Sequence, residues 1–163
     1  MRTITLWQPW AQLTVIGEKK FETRGWPTKV RERVAIHAAK RKIDFMDFGA
    51  FRNYFIESLK NYLKEEDGRY TNTLPLGAIV GTVEIMNCFQ ITEEYPSHNY
   101  AVIHDTSHGQ VESFAIEGKE YNFGDYTPGR YVWQLKDPIL FDKPIPTKGS
   151  QGFWNWEEGE KHE

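Results

Sequence analysis

A chain of 163 residues with 39% hydrophobic and 15% aromatic side chains is long enough for one globular domain and too apolar for a disordered one. Its formal net charge of −3 excludes the strongly basic proteins that grip long phosphate backbones non-specifically, because each contacted phosphate needs a cation. The single cysteine, Cys88, excludes an intrachain disulfide and a cysteine-ligated zinc site, and no apolar run approaches the ~20 residues of a membrane helix.

In chain order, Thr3–Trp7 alternates β-branched and aromatic residues and reads as a strand. Pro9 can open a short helix, where its missing N–H is not needed, and Gly17 can close it in the left-handed conformation. Lys20–Arg24 is expected to be extended, ending at Trp26-Pro27. Arg33–Ala38 is a strand candidate. Between Ile43 and Leu63, Phe48, Phe51, Phe55, Ile56 and Leu59 recur at helical spacing and predict a longer helix. Lys64–Tyr70 reads as a charged loop and Leu74–Gly77 as a turn. Ala78–Ile85 is the most apolar strand, expected to be buried on both faces. Residues 92–118 read as loop with weak strand signals. Arg130–Lys136 and Ile139–Phe141 are strand candidates, and Pro144-Ile145-Pro146 and Gly149–Gly152 are turns leading to Phe153–Trp156. Six or seven short strands and two helices, without βαβ alternation, predict an α+β fold with a mostly antiparallel curled sheet or small β-barrel and flanking helices. Residues 1–156 form the expected single domain and 157–163 an acidic tail.

Charge is unevenly placed. Residues 19–42 hold nine basic residues against two acidic ones, an anion-attracting stretch in an otherwise acidic chain. Within it Lys19, Glu22 and Arg24 stand close together, bracketed by Trp7, Trp10 and Trp26. Extended geometry puts Glu22, Arg24 and Trp26 on one face. Such a face suits a polar, planar ligand such as a nucleobase; it also suits a solvated edge strand whose charges discourage aggregation. Glu84 interrupts the most apolar strand. It is expected either to pair with Lys19, Lys20 or Arg24, or to face solvent with no role. Most of the six tryptophans, at least four, are expected in the core, with Trp7 or Trp26 the stacking candidates. His37 is expected to be a hydrogen-bonded structural residue that could face the pocket. His104 and His108 have i,i+4 spacing, but their glycine- and serine-rich surroundings argue for loop over metal site. No Gly-rich phosphate loop, GxSxG or HExxH occurs, and the sequence calls for neither metal nor cofactor. The absence of a signal peptide makes a cytoplasmic location the default expectation.

Several pieces in this order resemble the ASCH domain family of the PUA-like superfamily: Leu6-Trp7-Gln8-Pro9-Trp10-Ala11, then Gly17-x-Lys19-x-x-Glu22-x-Arg24-x-Trp26, then Arg33 and Ile36-His37-Ala38. Gly77–Gly81 with Glu84 and Cys88, Gly129-Arg130-Tyr131-x-Trp133, Pro144-Ile145-Pro146 and Gly149-x-x-Gly152-Phe153-Trp154 continue it. The resemblance implies a PUA-like barrel with a cleft lined by Lys19, Glu22 and Arg24, and binding of RNA or other single-stranded nucleic acid, or of a nucleoside-type small molecule. Trp7, Trp26, Arg33 and His37 join the ligand-binding candidates. A branch of the family is identified with hydrolysis of N4-acetylated cytidine, and some members are described as ribonucleases. In this chain Lys19 and Glu84 match two positions of the hydrolase branch, but Glu22 stands at the third, a threonine, with Thr23 one residue later. Lys19, Glu22 and Glu84 are therefore the catalytic candidates only if the chain is an enzyme. A third reading, a protein-interaction module built on the aromatic C-terminus, requires Trp154 and Trp156 to be exposed. The sequence leaves ligand and oligomeric state open and suggests no membrane partner.

Overall fold

The computed structural model describes residues 1–105 and 112–157. In chain order the elements are β1 (Arg2–Leu6), α1 (Trp10–Val15), β2 (Phe21–Arg24), β3 (Arg33–Ala38), α2 (Arg52–Leu59), β4 (Lys64–Glu66), β5 (Arg69–Thr71), β6 (Ala78–Tyr95), β7 (Tyr100–Asp105), β8 (Glu112–Glu117), α3 (Gly118–Asn122), β9 (Tyr131–Pro146) and β10 (Phe153–Asn155). The chain groups into two compact units. One comprises Met1–Glu18, Arg33–Val83 and the chain from Asp137 onward; the other comprises Lys19–Glu32 and Glu84–Lys136.

In the first unit β1 pairs antiparallel with β10 and parallel with β3, Thr3 opposite Ala35 and Leu6 opposite Ala38. β3 is buried from Val34 to Ala38 on both faces, which explains its small and β-branched residues, interrupted only by the buried His37. Ala78–Val83 is likewise buried throughout, as the sequence predicts. Ala35, Ile79 and Trp156 form a core cluster with Phe141, Ile145 and Trp154 packed on it. Trp10 adds a second aromatic contact, meeting Phe48 and Phe55 edge-on at 5.5 and 5.8 Å.

In the second unit β2 lies antiparallel to the start of β9, Glu22 opposite Trp133 and Arg24 opposite Tyr131. The far end of β6, β7 and β8 form an antiparallel meander with a register shift between Ile91 and Glu93. Its core is Phe89, Ile91, Ala101, Ile103, Ile116, Tyr126 and Val132.

The sheet is mixed and has flanking helices; closure into a barrel is not among the strand pairings of the described residues. These residues contain ten strands, more than the six or seven expected. The helix expected over Ile43–Leu63 is only partly continuous. Phe45–Phe51 winds as a 3-10 helix broken at Gly49, whose φ of 51° and ψ of −124° are not helical, and α2 covers eight residues. Phe55 and Leu59 of the predicted stripe are buried, whereas Phe51 is exposed. The expected loop over Lys64–Tyr70 is instead the β4–β5 hairpin. Its two-residue turn, Asp67-Gly68, has both φ values positive, the conformation that twisted strands favour. Where a loop is expected over residues 92–118, the described residues instead hold the end of β6 and strands β7 and β8 of the antiparallel meander. Pro144-Ile145-Pro146 ends β9 rather than making a turn. Among the described residues no helix is long and apolar enough to cross a membrane.

Candidate functional site

The second unit carries the charged motif. The Gly17 turn delivers Lys19 to the start of β2, where its side chain is 1% exposed and its ammonium lies 3.0 Å from Glu22 Oε2 while also donating to the Phe21 carbonyl. The other oxygen of Glu22 meets Arg24 Nε at 3.0 Å. One carboxylate thus joins a buried cation to a cation that reaches solvent. Strand geometry explains the pairing of Glu22 with Arg24, since residues i and i+2 share a face. The Arg24 guanidinium carbon sits 5.8 Å from the centre of the Trp133 ring, and Trp26, itself 38% exposed, packs edge-on to Trp133 at 4.7 Å. Lys19, Glu22, Arg24 and Trp26 are therefore brought together as the motif suggests.

A further carboxylate braces this segment. Glu120 of α3 accepts the backbone N–H groups of Lys20, at 3.0 Å, and Phe21, at 3.1 Å. Burial raises its pKa, opposed by the Lys19 charge and by those two hydrogen bonds. Tyr126 is wholly buried in the same unit. Its phenol pKa is pushed up, first by burial and then by the charges of Glu120 and Glu22. Neither residue is legible in the sequence, because a contact between positions a hundred residues apart leaves no local pattern.

Thr23 points to the other face of β2, where its hydroxyl accepts the Asp125 N–H at 3.0 Å. Glu84 corrects an expectation. It is half-buried, not sunk in the core, and its carboxylate pairs with Lys136 at 3.2 Å. Its strand loses its two-sided burial at this residue, so Glu84 reaches the surface and takes a cation from β9 rather than an early one. Cys88, half-buried, accepts the Thr28 N–H at 3.4 Å, and burial pushes its thiol pKa up, which opposes nucleophilic use.

The remaining candidates belong to the first unit, where Arg33 and His37 play structural parts. Arg33 donates to Thr82 Oγ1 at 3.0 Å and to the Asp137 carbonyl at 2.9 Å. His37 is 2% exposed; Nε2 donates to the Thr147 carbonyl at 3.0 Å and Nδ1 lies 3.2 Å from the Thr5 hydroxyl. Burial lowers its pKa, so the ring is neutral and locked, not a ligand group at a surface. Trp7 is 48% exposed, with the Arg41 guanidinium stacked 4.0 Å above its ring. Of the six tryptophans, Trp133 and Trp156 are fully buried, Trp10 and Trp154 partly so, and Trp7 and Trp26 are the exposed pair, fewer in the deep core than expected. Trp156 is buried and Trp154 donates its indole N–H to Thr5 Oγ1 at 3.1 Å, which removes the aromatic C-terminus as an interaction surface. His104 sits in β7, not in a loop; His108 and His162 lie outside the described residues, as does the tail beyond Glu157. Among the described residues no group of His, Cys, Asp or Glu could hold a metal ion.

The family model described as ASCH domain matches residues 4–144. Activating signal cointegrator 1 of Homo sapiens is 29% identical over 96 residues, 57% of this chain and 16% of that protein. The Mus musculus protein of the same name is 28% identical over 96 residues with the same coverage. The chain thus spans about one-sixth of the length of these relatives. Among solved structures, the crystal structure of ASCH from Zymomonas mobilis superposes with a TM-score of 0.48 at 17% identity, covering 98% of this chain and 88% of that one. A point mutant of the same protein gives 0.48 and 17%, with 97% and 90% covered.

Proposed function

Since this chain belongs to the ASCH domain family, we propose that its second unit binds a nucleotide or a short single-stranded segment of nucleic acid, RNA before DNA, on the face formed by Arg24 and Trp26, with the buried Trp133 ring packed against both. One observation carries the reading: Glu22 fastens Arg24 to a buried lysine beside an exposed tryptophan. A guanidinium held in this way loses little freedom when it forks onto a phosphate or a base acceptor. An exposed ring next to it stacks on a base, worth ~1–3 kcal/mol per base and tolerant of sequence. Remaining lone pairs of Glu22 can accept from an amino or ribose hydroxyl group. Trp7 with Arg41 offers a second stacking platform in the first unit.

The net charge of −3 disfavours binding along a long phosphate backbone, so the proposed ligand spans one or two nucleotides and displaces few counterions. A cleft and a PUA-like barrel around it are part of this proposal, as is a cytoplasmic location.

The hydrolase reading finds less support. Its lysine position is paired with Glu22, the Thr23 hydroxyl is turned to Asp125, and Glu84 is paired with Lys136. A nucleophilic hydroxyl needs a base within hydrogen-bond reach. The two readings separate in one experiment: titration of the purified protein with cytidine monophosphate and short oligouridylates, beside incubation with N4-acetylcytidine. Saturable binding weakened in Arg24→Ala, without turnover, is the expected result. Release of acetate lost in Lys19→Ala would replace binding with catalysis.

A further inference from the structure

The second unit contains three arginines, Arg24, Arg31 and Arg130, and they are fastened in two ways. Arg31 spends a terminal nitrogen on the fold: Nη1 donates to the carbonyls of Thr28, at 3.0 Å, and Val30, at 2.8 Å. Arg24 and Arg130 are each held at the inner nitrogen by an acidic residue. Glu22 takes Arg24 Nε at 3.0 Å. Asp125 takes Arg130 Nε twice, through its backbone carbonyl at 3.2 Å and through Oδ2 at 3.4 Å. A guanidinium clasped at Nε has its terminal pair, the part that forks onto a phosphate, directed away from the clasp.

Asp125 is itself fixed. Its N–H donates to Thr23 Oγ1 at 3.0 Å, and its Oδ1 accepts the Thr127 N–H at 3.2 Å and the Thr127 hydroxyl at 2.7 Å. Asp125 thus stands to Arg130 as Glu22 does to Arg24. Both supports reach β2, Glu22 on one face and Thr23 on the other. The two guanidiniums then meet around Gly25, just past the end of that strand. A Cβ built on Gly25 would lie 3.7 Å from Arg130 Nη1, so a terminal nitrogen of Arg130 rests beside the residue that links Arg24 to Trp26. The Arg130 side chain is 32% exposed. A pair this open to water contributes only ~0–1 kcal/mol, so stability gives little reason for holding a second arginine here.

Resting on the nucleotide-binding reading, we infer that Arg130 is a second phosphate-binding residue of that site. The ligand carries two successive phosphates, one on Arg24 and the next on Arg130, and its backbone crosses Gly25. Gly25 is exposed and has no side chain, which lets a sugar–phosphate backbone approach the main chain. A base stacked on Trp26 sets the register at Arg24, and Arg130 takes the neighbouring phosphate. Each carboxylate offsets part of its arginine's charge, so one fork alone binds weakly and the two together select a ligand with both phosphates.

The probes are diuridylate, with one phosphate, and 5′-phosphorylated diuridylate, with two; the bases are the same, so only phosphate number differs. Each is titrated by calorimetry into the full chain. Wild type is expected to bind the 5′-phosphorylated form about tenfold tighter. Arg130→Gln, which keeps a donor toward Asp125, is expected to abolish that gap and leave the affinity for plain diuridylate unchanged. Arg24→Ala is expected to weaken both. If Arg130→Gln does not fold, Arg130→Lys, which keeps the charge but not the fork, replaces it and should narrow the gap about threefold. Equal affinity for the two probes in wild type overturns the inference, as does a gap unchanged in the folded Arg130 variant. Either result, with both probes still weakened by Arg24→Ala, leaves the nucleotide-binding reading standing; failure of both probes to bind wild type overturns that reading and this inference together.

Discussion

Two buried polar centres, one in each unit, handle charge in opposite ways. His37 in the first unit gives its charge up. Burial lowers its pKa, its ring nitrogens face Thr147 and Thr5, and Gly149 packs against it so closely that a Cβ there would lie 2.2 Å from the ring. Lys19 in the second unit is at least as buried, yet it has Glu22 3.0 Å away as a counter-ion. That counter-ion passes its second oxygen to Arg24, which reaches solvent beside Trp26. A neutral buried group ends its interactions inside the fold; a paired one can extend them to the surface. The comparison teaches that exposure and residue type alone do not mark a functional site. What the inner partner is joined to does.

The sharpest way to break the contrast is Glu22→Ala. It leaves the Lys19 ammonium without its pair, and removing one member of a buried ion pair costs ~3–5 kcal/mol. The lower end is expected, because Glu120 still acts on that ammonium. Urea unfolding measures it, and the double substitution Lys19→Met, Glu22→Leu should recover most of the loss, since an apolar pair of similar volume avoids the desolvation cost. On the histidine side, Gly149→Ala forces a methyl into the His37 ring and should destabilise by about 1–3 kcal/mol through overpacking, measured by the same unfolding curves.

A smaller effect follows from pH. The folded pKa of His37 lies below its ordinary 6.5, so the unfolded chain takes up the proton first. The stability this provides is complete above pH 6.5 and is lost as pH falls from there through the folded pKa. Unfolding free energy should therefore decline below pH 6.5 in the wild type, and this part of the decline should vanish in His37→Asn. A decline that persists unchanged in the variant would assign the pH dependence to other groups.

How much of this could be seen in the sequence depended on the range of the interaction. Lys19, Glu22 and Arg24 are neighbours in sequence, and the two-residue period of a strand is enough to put Glu22 and Arg24 together. The apolar run from Ala78 to Val83 and the β3 strand were legible for the same local reason. Glu120 was not, because the two N–H groups it receives, from Lys20 and Phe21, lie about a hundred residues earlier in the chain. Lys136 is not legible as the partner of Glu84, because it approaches across strands, which spacing along one strand does not reveal. The Asp67-Gly68 hairpin carried a strong turn signal, but its charged flanks hid the strands. Over Ile43–Leu63 the helical period was real, yet Gly49 could leave the helix at no steric cost.

The central claim is that the Glu22-anchored Arg24 and the exposed Trp26 receive a phosphate and a base. Anisotropy titration of a fluorescent short oligouridylate, run at two salt concentrations on wild type, Arg24→Ala and Trp26→Ala, tests it most directly. Binding about tenfold weaker in Arg24→Ala, equal to ~1.4 kcal/mol, with a flatter salt dependence is the expected result. Trp26→Ala should weaken it by the ~1–3 kcal/mol of one lost stack, with the salt dependence kept. Oligouridylate affinity and salt slope identical in all three folded proteins would contradict the account.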